Sequence, residues 1–165
     1  MNLPVNPLPQ DESPAVSAGG RNKPEQTAAA LRGGWMHTGD AGYLDDRGYL
    51  FIVDRLKDII ITGGENVYSA EVENALAGHP AVAACAVIGL PDPQWGERVH
   101  AVVVLQPGRE ATGEQLREFC RGQVAGYKLP RSIAFVDALP ISGAGKVLKR
   151  ELRKQHCDTA DRNVS

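Results

Sequence analysis

The run from Tyr49 to Val67 constrains this chain most. Tyr49-Leu-Phe-Ile-Val53 reads as an apolar strand, and Asp54-Arg55-Leu-Lys57-Asp58 as an alternation of charges. Ile59-Ile-Ile-Thr62 reads as a second apolar strand, followed by the paired glycine Gly63-Gly64. Strands of that composition are expected to be buried. Charges set between them are hard to explain by packing, because an unpaired charge is costly to bury. The run therefore reads as a pivot between two structural units that also presents ligand-binding groups. A paired glycine suits that role, since it lets the backbone approach a ligand closely or swing about a hinge.

Around the pivot the pattern changes. Residues 1–21 carry Pro4, Pro7, Pro9 and Pro14 among polar residues and are expected to be disordered. Pro24 to Leu31 reads as a short helix started by Pro24 or Thr27. Trp35 to Asp40 reads as a strand and tight turn, and Tyr43 to Leu50 as a hairpin with Asp46, Arg47 and Gly48 in its turn. Beyond the pivot, Ser69 is the expected cap of a helix with Val72, Ala75 and Leu76 on one face, ended by His79-Pro80. Ala81 to Leu90 reads as a strand buried on both faces, Pro91-Asp92-Pro93 as a turn and Val99 to Leu105 as a strand. Thr112 starts a helix with Leu116, Phe119, Cys120 and Val124 on its apolar face. Ser132 to Val136 is a short strand and Leu148 to Gln155 a basic helix. The expected fold class is α/β (α+β): a small domain with a mixed sheet and flanking helices, preceded by a β-rich piece.

Composition narrows the partners. A hydrophobic content of 42% supports a core, and 5% aromatic residues make it aliphatic. A formal net charge of −2 gives no electrostatic basis for nucleic acid or an anionic membrane. No apolar stretch approaches the roughly 20 residues that span a bilayer, and the N-terminus lacks a signal-peptide pattern, so a soluble cytoplasmic protein is expected. Cys85, Cys120 and Cys157 form no C-x-x-C pair and read as buried thiols of a reducing compartment. His37, His79, His100 and His156 lack metal-ligand spacing, so no metal site is expected.

Besides the pivot, two segments could carry chemistry. In Thr38-Gly39-Asp40, the tripeptide alone makes a turn, but an Asp so placed can also accept the two hydroxyls of a ribose. In Ser142-Gly143-Ala144-Gly145-Lys146, two glycines present one lysine. This is not a P-loop, because Pro140 stands where the first Gly is needed and Val147 where Ser or Thr must follow the Lys. A lysine on such a loop can bring positive charge to a phosphate and withdraw it.

Taken together, these segments resemble one family. Residues 22–155 are similar to the C-terminal end of the adenylate-forming (AMP-binding) enzymes: acyl-CoA synthetases, peptide-synthetase adenylation domains and luciferases. The likeness rests on Asn22-Lys-Pro-Glu-Gln-Thr27, Gly34-Trp35, Thr38-Gly39-Asp40, Asp54-Arg55-Leu-Lys57-Asp58, Gly63-Gly64, Glu71-Val-Glu73, Tyr127-Lys-Leu-Pro130 and Gly145-Lys146 with Arg150, in order and spacing. It implies the end of a large AMP-binding domain over residues 22–56, a C-terminal domain over 57–155 and a tail over 156–165. It implies that Asp40 binds the ATP ribose with help from Arg55, that Lys57 is the hinge, and that Gly63 and Gly64 line the pantetheine tunnel. Lys146 is then the catalytic lysine, which contacts the reacting carboxylate and α-phosphate, and a candidate for regulatory acylation. The implied reaction joins a carboxylic acid of fatty type to CoA through an acyl-adenylate, with ATP, CoA and Mg2+, the metal not bound by these residues.

The family's phosphate loop, adenine-binding segment and acyl pocket have no counterpart in residues 1–165, and Gly19-Gly20 stands where the family has Gly-Tyr. A truncation, a shifted start and a fusion are each compatible with that, and the isolated chain is expected to be inactive. The alternatives are a non-catalytic module that docks on a separate large N-terminal synthetase domain, a peptide-synthetase piece, and a luciferase-type oxidase. Asp158 to Ser165 shows no start of a carrier domain, which favours the CoA ligase over the peptide synthetase.

Overall fold

The computed structural model describes residues 24–30 and 37–162. Among the sequence expectations, the disordered segment 1–21 and the strand at Trp35 lie outside those residues. The chain divides into two compact units, Met1–Lys57 and Asp58–Ser165.

The first unit contains helix α1 (Pro24–Ala30), which starts at Pro24 where a missing N–H costs nothing. A two-stranded antiparallel ribbon follows, β1 (Asp40–Leu44) against β2 (Leu50–Arg55). Asp45 organises the connection: its carboxylate accepts from the amides of Arg47 and Tyr49, each at 2.9 Å, and pairs with the Arg47 guanidinium at 3.2 Å. Those donors hold the Asp45 carboxyl below its usual range. The expectation that β2 is buried fails. Leu50, Phe51 and Ile52 are 43–54% exposed, because among the described residues nothing of this unit covers the ribbon. Tyr43 and Phe51 stack on each other instead, centroids 5.2 Å apart.

The second unit is a three-layer α/β domain. Its mixed sheet runs β4 (Glu65–Val67), β3 (Ile60–Thr62), β6 (Gly96–Leu105), β5 (Val82–Asp92), and β7 (Ser132–Phe135) lies parallel to β6. Strand alternation sends side chains to two cores. Val87, Val99, Ala101 and Val103 face helices α2 (Ser69–Ala77) and α3 (Gly113–Cys120), where Val72, Leu76, Leu116 and Cys120 close the layer. Ala86, Ile88, Leu90 and Val102 face the other way, onto Leu152 of α4 (Lys149–Arg162).

Several boundaries differ from the sequence reading. The N-cap of α2 is Tyr68, not Ser69, which is the first helical residue and wholly buried. β5 continues through Pro91 to Asp92, and the turn is Pro93 to Trp95. β5 is an edge strand, where a proline removes no ladder bond. Its first half is not buried on both faces, since Ala83 and Ala84 are exposed. The helix start expected at Thr112 is found, made by a capping box with Gln115, but the helix stops at Cys120. Arg121 is extended and Gly122 has φ +91°, so Val124 lies beyond the helix. Cys120 is buried and Cys85 half-buried, and burial pushes the Cys85 thiol up to about 11.

β3 joins β6 through a single backbone pair, Thr62 with Gly96. A side chain reinforces that seam: the Glu97 carboxylate accepts from the Ile61 amide at 2.8 Å. Room for it comes from Gly89, where a Cβ would lie 2.7 Å from Glu97 Oε1.

Candidate functional site

The sequence-selected residues fall into three local arrangements. In the first unit, Asp40 opens β1 and Arg55 closes β2, and the register sets them opposite each other. Arg55 Nε stands 3.5 Å from Asp40 Oδ1, with both side chains partly exposed. Gly39 takes φ +76° and its carbonyl accepts from Leu56 N at 2.8 Å, while Thr38 Oγ1 accepts from Asp40 N at 3.2 Å. An accessible carboxylate beside a guanidinium is thus held in one place by the ladder. Lys57 follows in a 3₁₀ turn, Leu56–Asp58.

In the second unit, Gly63 and Gly64 form the two-residue connection of the β3–β4 hairpin. Thr62 pairs with Glu65 around them, and their φ angles are +60° and +83°. A two-residue hairpin turn with both central φ positive is the type I′ form, which glycine adopts without steric cost. Gly63 has a further constraint. Its amide donates to the Trp95 carbonyl at 2.9 Å, and a Cβ there would lie 2.8 Å from Trp95 Cε3. Trp95 is held in turn by the Arg131 guanidinium, 4.6 Å above its ring.

Lys146 sits on a loop closed by backbone hydrogen bonds. Ile141 and Val147 form a bridge, Ser142 N donates to Lys146 O at 2.8 Å, and Lys146 N donates to Ser142 Oγ at 3.2 Å. Gly145, at φ +75°, donates to Ser142 O and makes the reversal. The Lys146 side chain is exposed and meets no carboxylate among the described residues. Other cations of this domain are committed: Lys128 to Glu71 at 2.7 Å, Lys149 to Glu73 at 2.8 Å and Arg153 to Asp58 at 3.0 Å. Lys146 is therefore available to an incoming anion.

Residues 71–146 match the model of the AMP-binding enzyme C-terminal domain. The chain carries the C-terminal domain of the adenylate-forming enzymes. A feruloyl-CoA synthase from Amycolatopsis sp is 50% identical over 156 residues, which cover 90% of this chain and 32% of the synthase. A long-chain-fatty-acid–CoA ligase from Mycobacterium tuberculosis is 49% identical over 138 residues, 84% of this chain and 27% of the ligase. Among solved structures, ATP-bound MatB from Rhodopseudomonas palustris superposes with a TM-score of 0.76 at 42% identity, over 84% of this chain and 28% of MatB. The chain thus spans about a third or less of the length of these relatives. The α/β class and mixed sheet expected from the sequence are those of this adenylate-forming domain.

Sequence reasoning missed the partners of Lys149. Its ammonium donates to Ser69 Oγ at 2.6 Å and pairs with Glu73. Nothing local signals a contact across 80 residues, although Ser69 at a helix start and a Lys at another are each visible alone. It also missed the pairing of His100 with His156, rings 4.8 Å apart beneath α4. Among the described residues no group of three or more His, Cys, Asp or Glu could hold a metal, and no helix is long and apolar enough to cross a membrane.

Proposed function

We propose that this chain supplies the lysine-bearing domain of an ATP-dependent acyl-CoA synthetase acting on carboxylic acids of fatty type. The reaction makes an acyl-adenylate and pyrophosphate from acid and ATP, then acyl-CoA and AMP from the adenylate and the CoA thiol. The observation that carries the reading is Lys146: an exposed ammonium that meets no carboxylate among the described residues, on a hydrogen-bonded loop, while Lys128, Lys149 and Arg153 are paired. In the first step its charge stabilises the negative charge developing on the α-phosphate and positions the attacking carboxylate. In the second it withdraws, and rotation about Lys57 brings Gly63 and Gly64 to the thiol's path, where the absence of side chains leaves room. Asp40 accepts the ribose hydroxyls and Arg55 steadies it. Mg2+ accompanies the phosphates of ATP, and no residue named here holds it. The working enzyme includes a large N-terminal synthetase domain, and the uncovered apolar ribbon β1–β2 supports that need. A cytoplasmic location suits the substrates.

A chimaera tests this reading: residues 22–165 replace the matching segment of the Amycolatopsis feruloyl-CoA synthase, assayed with ferulate, ATP and CoA. Lys146→Ala should lower adenylate formation about 100-fold, while thioester formation from supplied feruloyl-adenylate changes less than about two-fold. Equal loss of the two half-reactions contradicts the role.

A further inference from the structure

Lys149 lies three residues beyond Lys146, at the first position of α4. Its side chain leaves the α4 layer and reaches round the free edge of β5 to the α2 layer. There it meets Ser69 Oγ at 2.6 Å and Glu73 Oε1 at 2.8 Å, with only 17% of the lysine side chain exposed. The same Glu73 oxygen accepts from the amide of Val87 at 2.7 Å, an edge amide that the sheet leaves open. Three elements thus converge on one carboxylate: α2 supplies it, β5 donates an amide and α4 an ammonium.

From this anchor the chain runs back to Lys146 through backbone that is already fixed. Leu148 N donates to Pro140 O at 2.8 Å, Val147 pairs with Ile141, and Lys146 O accepts from Ser142 N. Among the described residues the Lys146 side chain makes no hydrogen bond or ion pair that would hold it. Its place is therefore set by the loop, and the place of the loop by the nearest anchored side chain. We propose that Lys149, through Ser69 and Glu73, is a positioning residue for Lys146. The inference rests on the reading of Lys146 given above. It adds that the reach of the reacting ammonium is set from the opposite end of the short tether, by an ion pair that touches no substrate. Preorganisation of this kind counts because small displacements at a reacting centre are costly in rate.

Hydrogen exchange on the full chain tests the positioning apart from the chemistry. In Lys149→Ala the amides of Ser142, Gly145 and Leu148 should exchange about ten-fold faster or more, while amides of the β5–β6 ladder change less than about two-fold. Lys149→Arg, which keeps a cation at the site, should restore protection. Unchanged loop protection, equal acceleration of loop and ladder, or failure of Lys149→Arg to restore would each overturn the inference. If Lys149→Ala does not fold, Ser69→Ala, which removes one anchor contact and leaves Glu73 paired, is judged by the same loop-against-ladder criterion. In the feruloyl-CoA synthase chimaera, Lys149→Ala should slow adenylation about ten-fold and spare thioester formation. Adenylation intact in Lys149→Ala but lost in Lys146→Ala overturns the inference. Adenylation intact in both, with the exchange result as expected, overturns the reading of Lys146 and leaves the positioning standing.

Discussion

Replacing Gly63 by alanine should harm this domain much more than the same change at Gly64, although both residues occupy one turn. Both have positive φ, +60° and +83°, so each alanine carries a backbone cost of about 1–2 kcal/mol. At Gly64 nothing lies within 4 Å of the new Cβ, and the cost ends there. At Gly63 the methyl would stand 2.8 Å from Trp95 Cε3 and 3.2 Å from Cζ3. Trp95 cannot yield freely, because its backbone carbonyl holds the Gly63 amide and Arg131 packs over its ring. Overpacking of that kind adds about 1–3 kcal/mol. The expected totals are about 2–5 kcal/mol for Gly63→Ala and about 1–2 for Gly64→Ala. Urea denaturation read by circular dichroism checks this: at an m value of about 1–2 kcal/mol/M, the two midpoints should differ by about 0.5–3 M. Trp95→Leu should remove most of the difference by opening the space. Equal midpoints for the two alanine variants would refute the steric argument, and so would a difference that survives Trp95→Leu.

Burial, then His156 and Arg98, lower the His100 pKa to about 4, while its Nδ1 meets Ser132 Oγ at 2.7 Å. A base whose folded pKa is depressed favours the neutral form, so its contribution is present above the unfolded value of about 6.5 and lost as pH falls toward 4. The loss should be about 2–3 kcal/mol between pH 7 and 4, measured by urea unfolding, and His100→Gln should flatten that part of the profile. An acid limb of equal steepness in His100→Gln would count against it. Thr112→Ala removes the hydroxyl that accepts from Gln115 N at 3.2 Å and should cost about 1 kcal/mol in the same assay. No change in midpoint would show that Gln115 alone sustains the cap. Because the Lys146 side chain makes no ion pair among the described residues, Lys146→Ala should change the unfolding free energy by less than about 0.5 kcal/mol. A larger shift would mean that the side chain is structural.

Much of this was legible in the sequence because it is local. Gly63-Gly64 read as a hinge or a close approach to a ligand, and the structure shows the pair as a two-residue hairpin turn, which β4 beyond it, unread in the sequence, completes. Thr112 announced a helix start, and Thr38-Gly39-Asp40 a turn that presents a carboxylate. What was not legible depends on what stands opposite. The apolar run in β2 looks buried by composition, yet burial is a property of the covering layer. Val124 continued the 3.6-residue period, but the Arg121-Gly122 stop outweighs the period. Ser69 looked like a cap because caps are read from neighbours, and its partner is Lys149, far along the chain. His100 and His156 met for the same reason: strand and helix brought them together across a layer that no spacing rule spans.

The seam between β3 and β6 has a bearing on which sequences this domain can explore. Glu97 reaches the Ile61 amide only because Gly89 leaves its path open. A side chain at 89 would meet the far end of a flexible carboxylate, not backbone, so the strand could accept it by turning Glu97 aside. The cost would appear elsewhere, as the lost bond between Glu97 and the Ile61 amide beside the glycine turn. Positions 89 and 97 should therefore drift as a pair among descendants of this chain: once the glycine is gone, the acid has lost its reason to stay.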